Sequence, residues 1–393
     1  MVTDEAGHAM SPFHWRDFYT PRSFSKAALD LARHAAGFFS SVSPIDDWSV
    51  ASLELQNKLT AFGLFEHIDL ELKLRGEDSL SLPAVLLRAD SLGPYYRLWA
   101  TEGLGHYYAD RHIAAGLRFT FLSDHDSASE IPEHSMVPLH AGVGLAIAEC
   151  LLSAMEPEKC RHSTKTIRLF LEICRSNVQT DYREIAYEAL GLAARNLYPQ
   201  SIDDLQRGLL AIDPELVEYF WHGIGRAIYF SPSSFSPHRN APWKGFQTCL
   251  QEPAQPSSRR NAVAGYAWAL TLVNIRHPEI MASFLKHHGA KLEEEDAFYN
   301  GVCAALIIWR LSAGNDSYFR SLRGYRPPDA SLISLWNRFI VRACDEAVEF
   351  CDSRRGEVRP GMLFREFPVS QLLTYPGYPR RTDSAKEGPC HQL

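Results

Sequence analysis

EYFWHGIGRAIYF, residues 218–230, has the apolar density of a buried helix, yet it sets His222 and Arg226 four residues apart with Gly223 and Gly225 between them. Glycine inside a helix costs roughly 1 kcal/mol relative to alanine, so two of them need a reason. The rest of the chain supplies one, because the pattern recurs. WATEGLGHYYAD (99–110), PLHAGVGLAIAE (138–149), IAYEALGLAARN (185–196), NAVAGYAWALTL (261–272) and AFYNGVCAALII (297–308) share it. Each holds two small residues separated by one other, followed by an apolar run. The small pairs recur 34 to 47 residues apart, the spacing of helix-hairpin repeats. Small residues two apart do not share one helix face; they thin the helix on adjacent sides, so that neighbours can approach closely.

Second helices fall between these segments, as in STKTIRLFLEICRSN and SIDDLQRGLLAI. The latter opens with Ser201 as an N-cap ahead of the acidic first turn of Asp203 and Asp204. The alternation in HIDLELKLRG (67–76) makes it the best candidate for a strand. Pro- and Ser-rich linkers are expected at 123–135, 231–242 and 251–260. The pattern predicts an all-α, single-domain protein: an array of antiparallel helix pairs around a central cavity. The repeats span 95–350, behind a non-repeat region 1–92 and ahead of an irregular surface tail 356–393.

Aligning the small pairs selects candidate functional residues. The position before each pair reads Glu102, Ala141, Glu188, His222, Ala264 and Asn300; the position after reads His106, Leu145, Leu192, Arg226, Trp268 and Ala304. These positions lie one helical turn apart and point the same way. The polar set Glu102, His106, Glu188, His222, Arg226 and Asn300 is therefore expected to face one interior. A single buried Glu or His commonly does no more than satisfy a neighbouring helix. Several in one register position carry more weight, since unpaired buried charge is costly.

Three chemistries fit such a set. A di-iron site is one, although the Glu-x-x-His pair of helical di-iron proteins is missing and WATEGLGH offers Glu-x-x-x-His instead. Acid–base work by Glu102, His106, Glu188 and His222 is a second. The third is ionisation of a diphosphate ester with Mg²⁺, held by Arg226, Lys286, Lys291 and Asn300. Trp221, Tyr266, Trp268 and Tyr299 would then face a carbocation. The acidic run SDHDSASE (123–130) fits no ligand spacing, and no Walker A loop, GxGxxG, HExxH or GxSxG occurs.

With 393 residues, 46% of them hydrophobic, the chain can bury a large core. A net charge of -7 argues against a nucleic-acid partner. The scattered cysteines form no CxxC pair and read as reduced core thiols of a cytoplasmic protein. The N-terminus has neither the basic start nor the apolar run of a signal peptide. The apolar runs read as too short for an integral membrane segment. The terminal CHQL places a cysteine as a prenylation box does, but His and Gln stand where aliphatic residues belong.

AYEALGLA (186–193), GIGRAIYF (223–230) and WATEGLGHYY (99–108) together resemble the AYEG, GxGRAxxF and WxxxxGxGF helices of an uncharacterised bacterial family encoded in enediyne biosynthetic clusters. The resemblance covers roughly residues 95–310 and departs at Ala189 and His106. It implies a helical protein of natural-product biosynthesis and no settled activity. More distantly, an all-helical chain of this length without DDxxD or DxDD is similar to the non-canonical, humulene-forming sesquiterpene cyclases of fungal meroterpenoid pathways. That similarity implies a carbon–oxygen lyase using farnesyl diphosphate and Mg²⁺, and it transfers no site residues. The sequence thus reads first as a prenyl diphosphate cyclase. A metal-dependent or cofactor-free tailoring or cyclising enzyme acting on a polyketide- or terpene-derived molecule comes next, and a helical scaffold for a partner protein stands outside both. The oligomeric state is not encoded in any feature of the sequence.

Overall fold

A computed structural model describes residues 31–36, 38, 46–74, 81–114, 122, 130–153, 163–230, 241–292, 296–353 and 359–374. Helices α1 (Asp46–Glu66), α2 (Ile68–Glu71) and α3 (Leu82–Asp90) lead into α4 (Pro94–Ala114) and α5 (Glu133–Ser153). Then come α6 (Ser163–Asn177), α7 (Arg183–Leu197), α8 (Ile202–Ile212), α9 (Glu215–Tyr229) and α10 (Ala241–Gln251). The chain continues with α11 (Pro256–Asn274), α12 (Pro278–Leu292), α13 (Asp296–Ala313) and α14 (Ser317–Gly324). It ends on α15 (Ile333–Trp336), α16 (Arg342–Ser353), a 3₁₀ turn at Pro360–Phe364 and α17 (Val369–Thr374). The protein is all-α, with no strand among the described residues.

The six glycine-bearing segments lie on α4, α5, α7, α9, α11 and α13, and each of these helices packs on the next in that order. The glycines explain the closeness. A Cβ on Gly223 would stand 2.1 Å from the Glu188 carbonyl oxygen of α7, and one on Gly225 would stand 2.0 Å from the Ala262 carbonyl of α11. Gly265 returns the contact, 1.9 Å from the His222 carbonyl. Gly223 thus faces the preceding helix and Gly225 the following one, so α9 touches both neighbours backbone to backbone. No side chain fits at such a separation.

Polar contacts orient the series. Asp90 bonds both Arg97 of α4 and His134 of α5, placing those two N-termini together. The N-terminal end of α4 also lies against the C-terminal ends of α9, α11 and α13. There Trp99 meets Phe230 edge-on, the Tyr95 hydroxyl donates to the Val273 carbonyl, and Arg97 donates to the Ser312 carbonyl. α1 packs along α4, and α16 along α13. One contiguous hydrophobic core runs from α1 to α17.

Several local expectations change. Within the strand candidate, residues 68–71 form helix α2 and a turn follows at 72–73, because the buried Ile68 and Leu72 sit at i, i+4 spacing, which is as compatible with their alternation as a strand; residues 75–76 lie outside the described residues. The positive φ of Lys73, 54°, ends that helix, and the Arg88 guanidinium donates to the Leu72 carbonyl. Ser201 does not cap α8 with its side chain; its hydroxyl donates to the Tyr198 carbonyl instead. The expected linkers at 123–135 and 251–260 overlap helix starts at Glu133 and Pro256. Most of the linker at 231–242 and the CHQL terminus lie outside the described residues. The tail is not purely irregular: Met362, Leu363 and Phe364 are buried in it. α5 is in fact long and apolar enough to cross a membrane, and 83% of its apolar window is packed inside the protein.

Candidate functional site

The close approach of α4, α7 and α9 brings four of the register residues into direct contact. The Arg226 Nη1 donates to Glu188 Oε2 at 2.8 Å, and its Nη2 donates to Glu102 Oε1 at 3.1 Å. His222, one turn earlier on α9, lies with Nδ1 2.9 Å from Glu188 Oε1. All four side chains are buried. Glu188 is the hinge of the arrangement, since one oxygen receives the guanidinium and the other the imidazole. A carboxylate oxygen beside Nδ1 requires that nitrogen to carry the proton, which leaves Nε2 as a bare lone pair. Nε2 is buried and has no hydrogen-bond partner among the described residues, as is true of Trp268 Nε1.

Aromatic rings close the site. The Arg226 guanidinium lies 4.3 Å from the Trp268 ring centroid. His222 has Trp268 at 6.4 Å on one side and Phe364 at 6.0 Å on another, and Trp268 and Phe364 are 5.4 Å apart. Phe364 comes from the 3₁₀ turn at Pro360–Phe364, far along the chain.

Charge follows from these surroundings. Burial pushes the His222 pKa below its usual value, with Arg226 adding to the effect and Glu188 opposing it. Burial likewise raises the Glu102 carboxyl, which Arg226 pulls back only in part. Burial alone would lower the Arg226 pKa, but the two glutamates outweigh it and hold the guanidinium charged. The result is a neutral imidazole, a cationic guanidinium and a Glu102 carboxyl biased toward its protonated form. Such a set can take up a proton at His222 Nε2 and release one from Glu102.

The other register residues go elsewhere. His106 pairs with Glu149 at 2.9 Å and lies tilted against the Phe65 ring, centroids 5.1 Å apart. Burial would lower its pKa, but Glu149 and the more distant Asp110 and Glu66 raise it. Asn300 donates to Glu366 Oε1 at 2.7 Å. Trp221 donates to Gln206, Tyr266 packs with Tyr229 and Phe284, and Tyr299 carries Arg342 over its ring. Lys286 and Lys291 stand exposed on α12, in the fields of Asp329 and His288 respectively, not beside Arg226. Glu102 and Glu188 are committed to Arg226 and His222, and no metal-binding group of three or more His, Cys, Asp or Glu occurs among the described residues.

A second buried polar cluster escapes a register-based reading. Lys58 and Glu54 of α1 form a pair at 3.2 Å, and the Lys58 ammonium lies 4.0 Å from the Tyr229 ring centroid. Asn274 donates to the Tyr229 hydroxyl, Asn57 donates to Asn274, and Arg276 donates to Asn57. Burial lowers the Lys58 pKa against the raising influence of Glu54. The only sequence signal for it was Glu54, Asn57 and Lys58 at i, i+3, i+4 spacing, which reads equally well as an exposed ion-paired face. Compared with protein-family models, curated proteins and solved structures, the chain matches none.

Proposed function

We propose that this chain is an acid–base enzyme of small-molecule metabolism, one that moves a proton on an apolar, unsaturated substrate with its own side chains. The observation that carries the proposal is the Glu188–His222 pair, with a lone pair left free on His222 Nε2 beneath aromatic rings. A carboxylate that fixes the tautomer and orientation of an imidazole is what a general base requires. Glu102, raised by burial and held by Arg226, supplies an acid on the other side of the guanidinium. The reaction class is a proton abstraction coupled to isomerisation, elimination or ring closure.

A second reading, ionisation of a prenyl diphosphate with Mg²⁺, draws support from Arg226 stacked on Trp268. It draws less from the rest of the site, because both guanidinium arms are occupied by glutamates and the candidate lysines lie at the surface. The test uses solvent deuterium. The protein is incubated in D₂O with a panel of phenols, β-dicarbonyl and unsaturated carbonyl compounds, and exchange at acidic C–H positions is followed by NMR. The wild type is expected to exchange at least one of them, and His222→Gln and Glu188→Gln to lose the exchange while keeping the helical circular dichroism. If no compound exchanges, while farnesyl or geranylgeranyl diphosphate with Mg²⁺ gives a hydrocarbon or alcohol, the second reading replaces the first. If neither panel reacts and the variants change stability alone, the scaffold reading replaces both.

A further inference from the structure

The ring that covers His222 does not belong to the six packed helices. Phe364 ends a short 3₁₀ turn, is fully buried, and packs against both the His222 imidazole and the Trp268 indole. The turn is fastened at both ends by polar contacts near the surface. Arg359 pairs with Glu184 at the start of α7, and Arg365 pairs with Glu215 and with Glu218, the latter at 3.0 Å, at the start of α9. The Glu366 backbone N–H donates to Asn261, and its carboxylate accepts from Arg260 of α11 and Asn300 of α13. The Phe364 ring is thus an apolar plug on a polar strap. Ion pairs with exposed members are individually weak and are screened by salt. Met362 and Leu363 are buried beside Phe364, so opening of this segment releases ion pairs and apolar contacts together, as the closing and opening of a lid does.

The two rings that Phe364 packs against each carry a buried hydrogen-bonding atom without a partner among the described residues, His222 Nε2 and Trp268 Nε1. One accepts a proton and the other donates one, and both sit at the edges of flat rings. A buried polar atom without a partner is costly unless something occupies it during function. We propose that the socket filled by Phe364 is a binding subsite for a flat unsaturated ring bearing a phenol- or enol-type oxygen, and that segment 359–367 is the lid that leaves it to admit that ring. The hydroxyl proton faces the imidazole lone pair, the oxygen accepts from the indole N–H, and the ring takes the place of Phe364. This deepens the acid–base reading and rests on it for the fate of the proton, while access and binding are read without turnover.

Diethyl pyrocarbonate acylates an unprotonated imidazole nitrogen, so the rate at which His222 reacts reports how often the lid is open. The full-length wild type, Phe364→Ala and Arg365→Ala are treated with it, and each histidine is followed by peptide mass spectrometry. His140 is the internal control, because it is also fully buried and its Nε2 accepts from the Gln179 N–H. Phe364→Ala is expected to speed His222 modification at least about tenfold and Arg365→Ala about threefold, with His140 unchanged, since local opening precedes global unfolding. In Phe364→Ala, millimolar p-cresol is expected to slow the His222 reaction at least about threefold by refilling the socket. Equal His222 rates in all three proteins would overturn the lid, and the absence of p-cresol protection would overturn the subsite. If His140 accelerates together with His222 in Phe364→Ala, that variant has unfolded. Arg365→Ala then decides, because faster modification of His222 alone supports the lid and an unchanged rate overturns it. Protection by p-cresol without proton exchange on any substrate would sink the acid–base reading and leave the subsite standing.

Discussion

Glu188 holds two donors at once, and the site depends on that double acceptance. Arg226 is the only cation in contact with either carboxylate of the cluster among the described residues. Removing it strands two buried acidic groups, which is the expensive way to break a buried pair. Arg226→Leu is therefore expected to cost about 3–5 kcal/mol of stability by urea denaturation. His222→Phe removes a neutral ring and one hydrogen bond, and leaves Glu188 with its guanidinium. It is expected to cost no more than about 2 kcal/mol. Equal losses in the two variants would contradict the charge assignment. At this scale, Glu102, Glu188, His222 and Arg226 could be read from the register alone, because positions flanking a backbone-close crossing must meet. Asn300 and His106 could not be placed that way. Their partners, Glu366 and Glu149, come from the tail and from near the end of α5, where the register says nothing.

At the scale of elements, the small pairs are packing devices, and their price in helix propensity has a measurable counterpart. Gly223→Ala gains roughly 1 kcal/mol of propensity, but its Cβ would fall 2.1 Å from the Glu188 carbonyl oxygen, where only backbone can yield. The net effect is expected to be destabilising by about 2 kcal/mol or more, with loss of the Glu188–His222 contact. Gly63, on α1, has nothing within 4 Å of such a Cβ among the described residues. Gly63→Ala is expected to stabilise the protein by about 0.5–1 kcal/mol. Thermal melts of the two variants moving in the same direction would show that the glycines do not set the helix separation. The six helices were legible because glycine is conspicuous in an apolar helix. α2 was not, because four residues do not separate a period of 2 from one of 3.6.

Taken as a whole molecule, the fold buries two polar clusters that meet the C-terminal half of α9, one around Arg226 and one around Lys58. The first was visible in the sequence as a repeated pattern; the second is assembled from α1, α9 and α11 and repeats nothing. The lid was invisible for the same reason, since the chain from 359 to 367 carries no copy of the pattern and gains its meaning only where it lands. The proposed acid–base chemistry turns on the state of one imidazole. The account requires His222 to be neutral, protonated at Nδ1 and bare at Nε2. Its pKa is depressed by burial. The unfolded chain therefore binds a proton near pH 6.5 that the folded protein refuses, so this group's contribution to stability is lost as pH falls below that value and is regained as pH rises. Nitrogen-15 NMR of histidine-labelled protein reads this directly. The account predicts a protonated Nδ1 and an unprotonated Nε2 for His222 at pH 7, with a titration midpoint below about 6.5. An imidazolium at pH 7, or a neutral ring with its proton on Nε2, would contradict it.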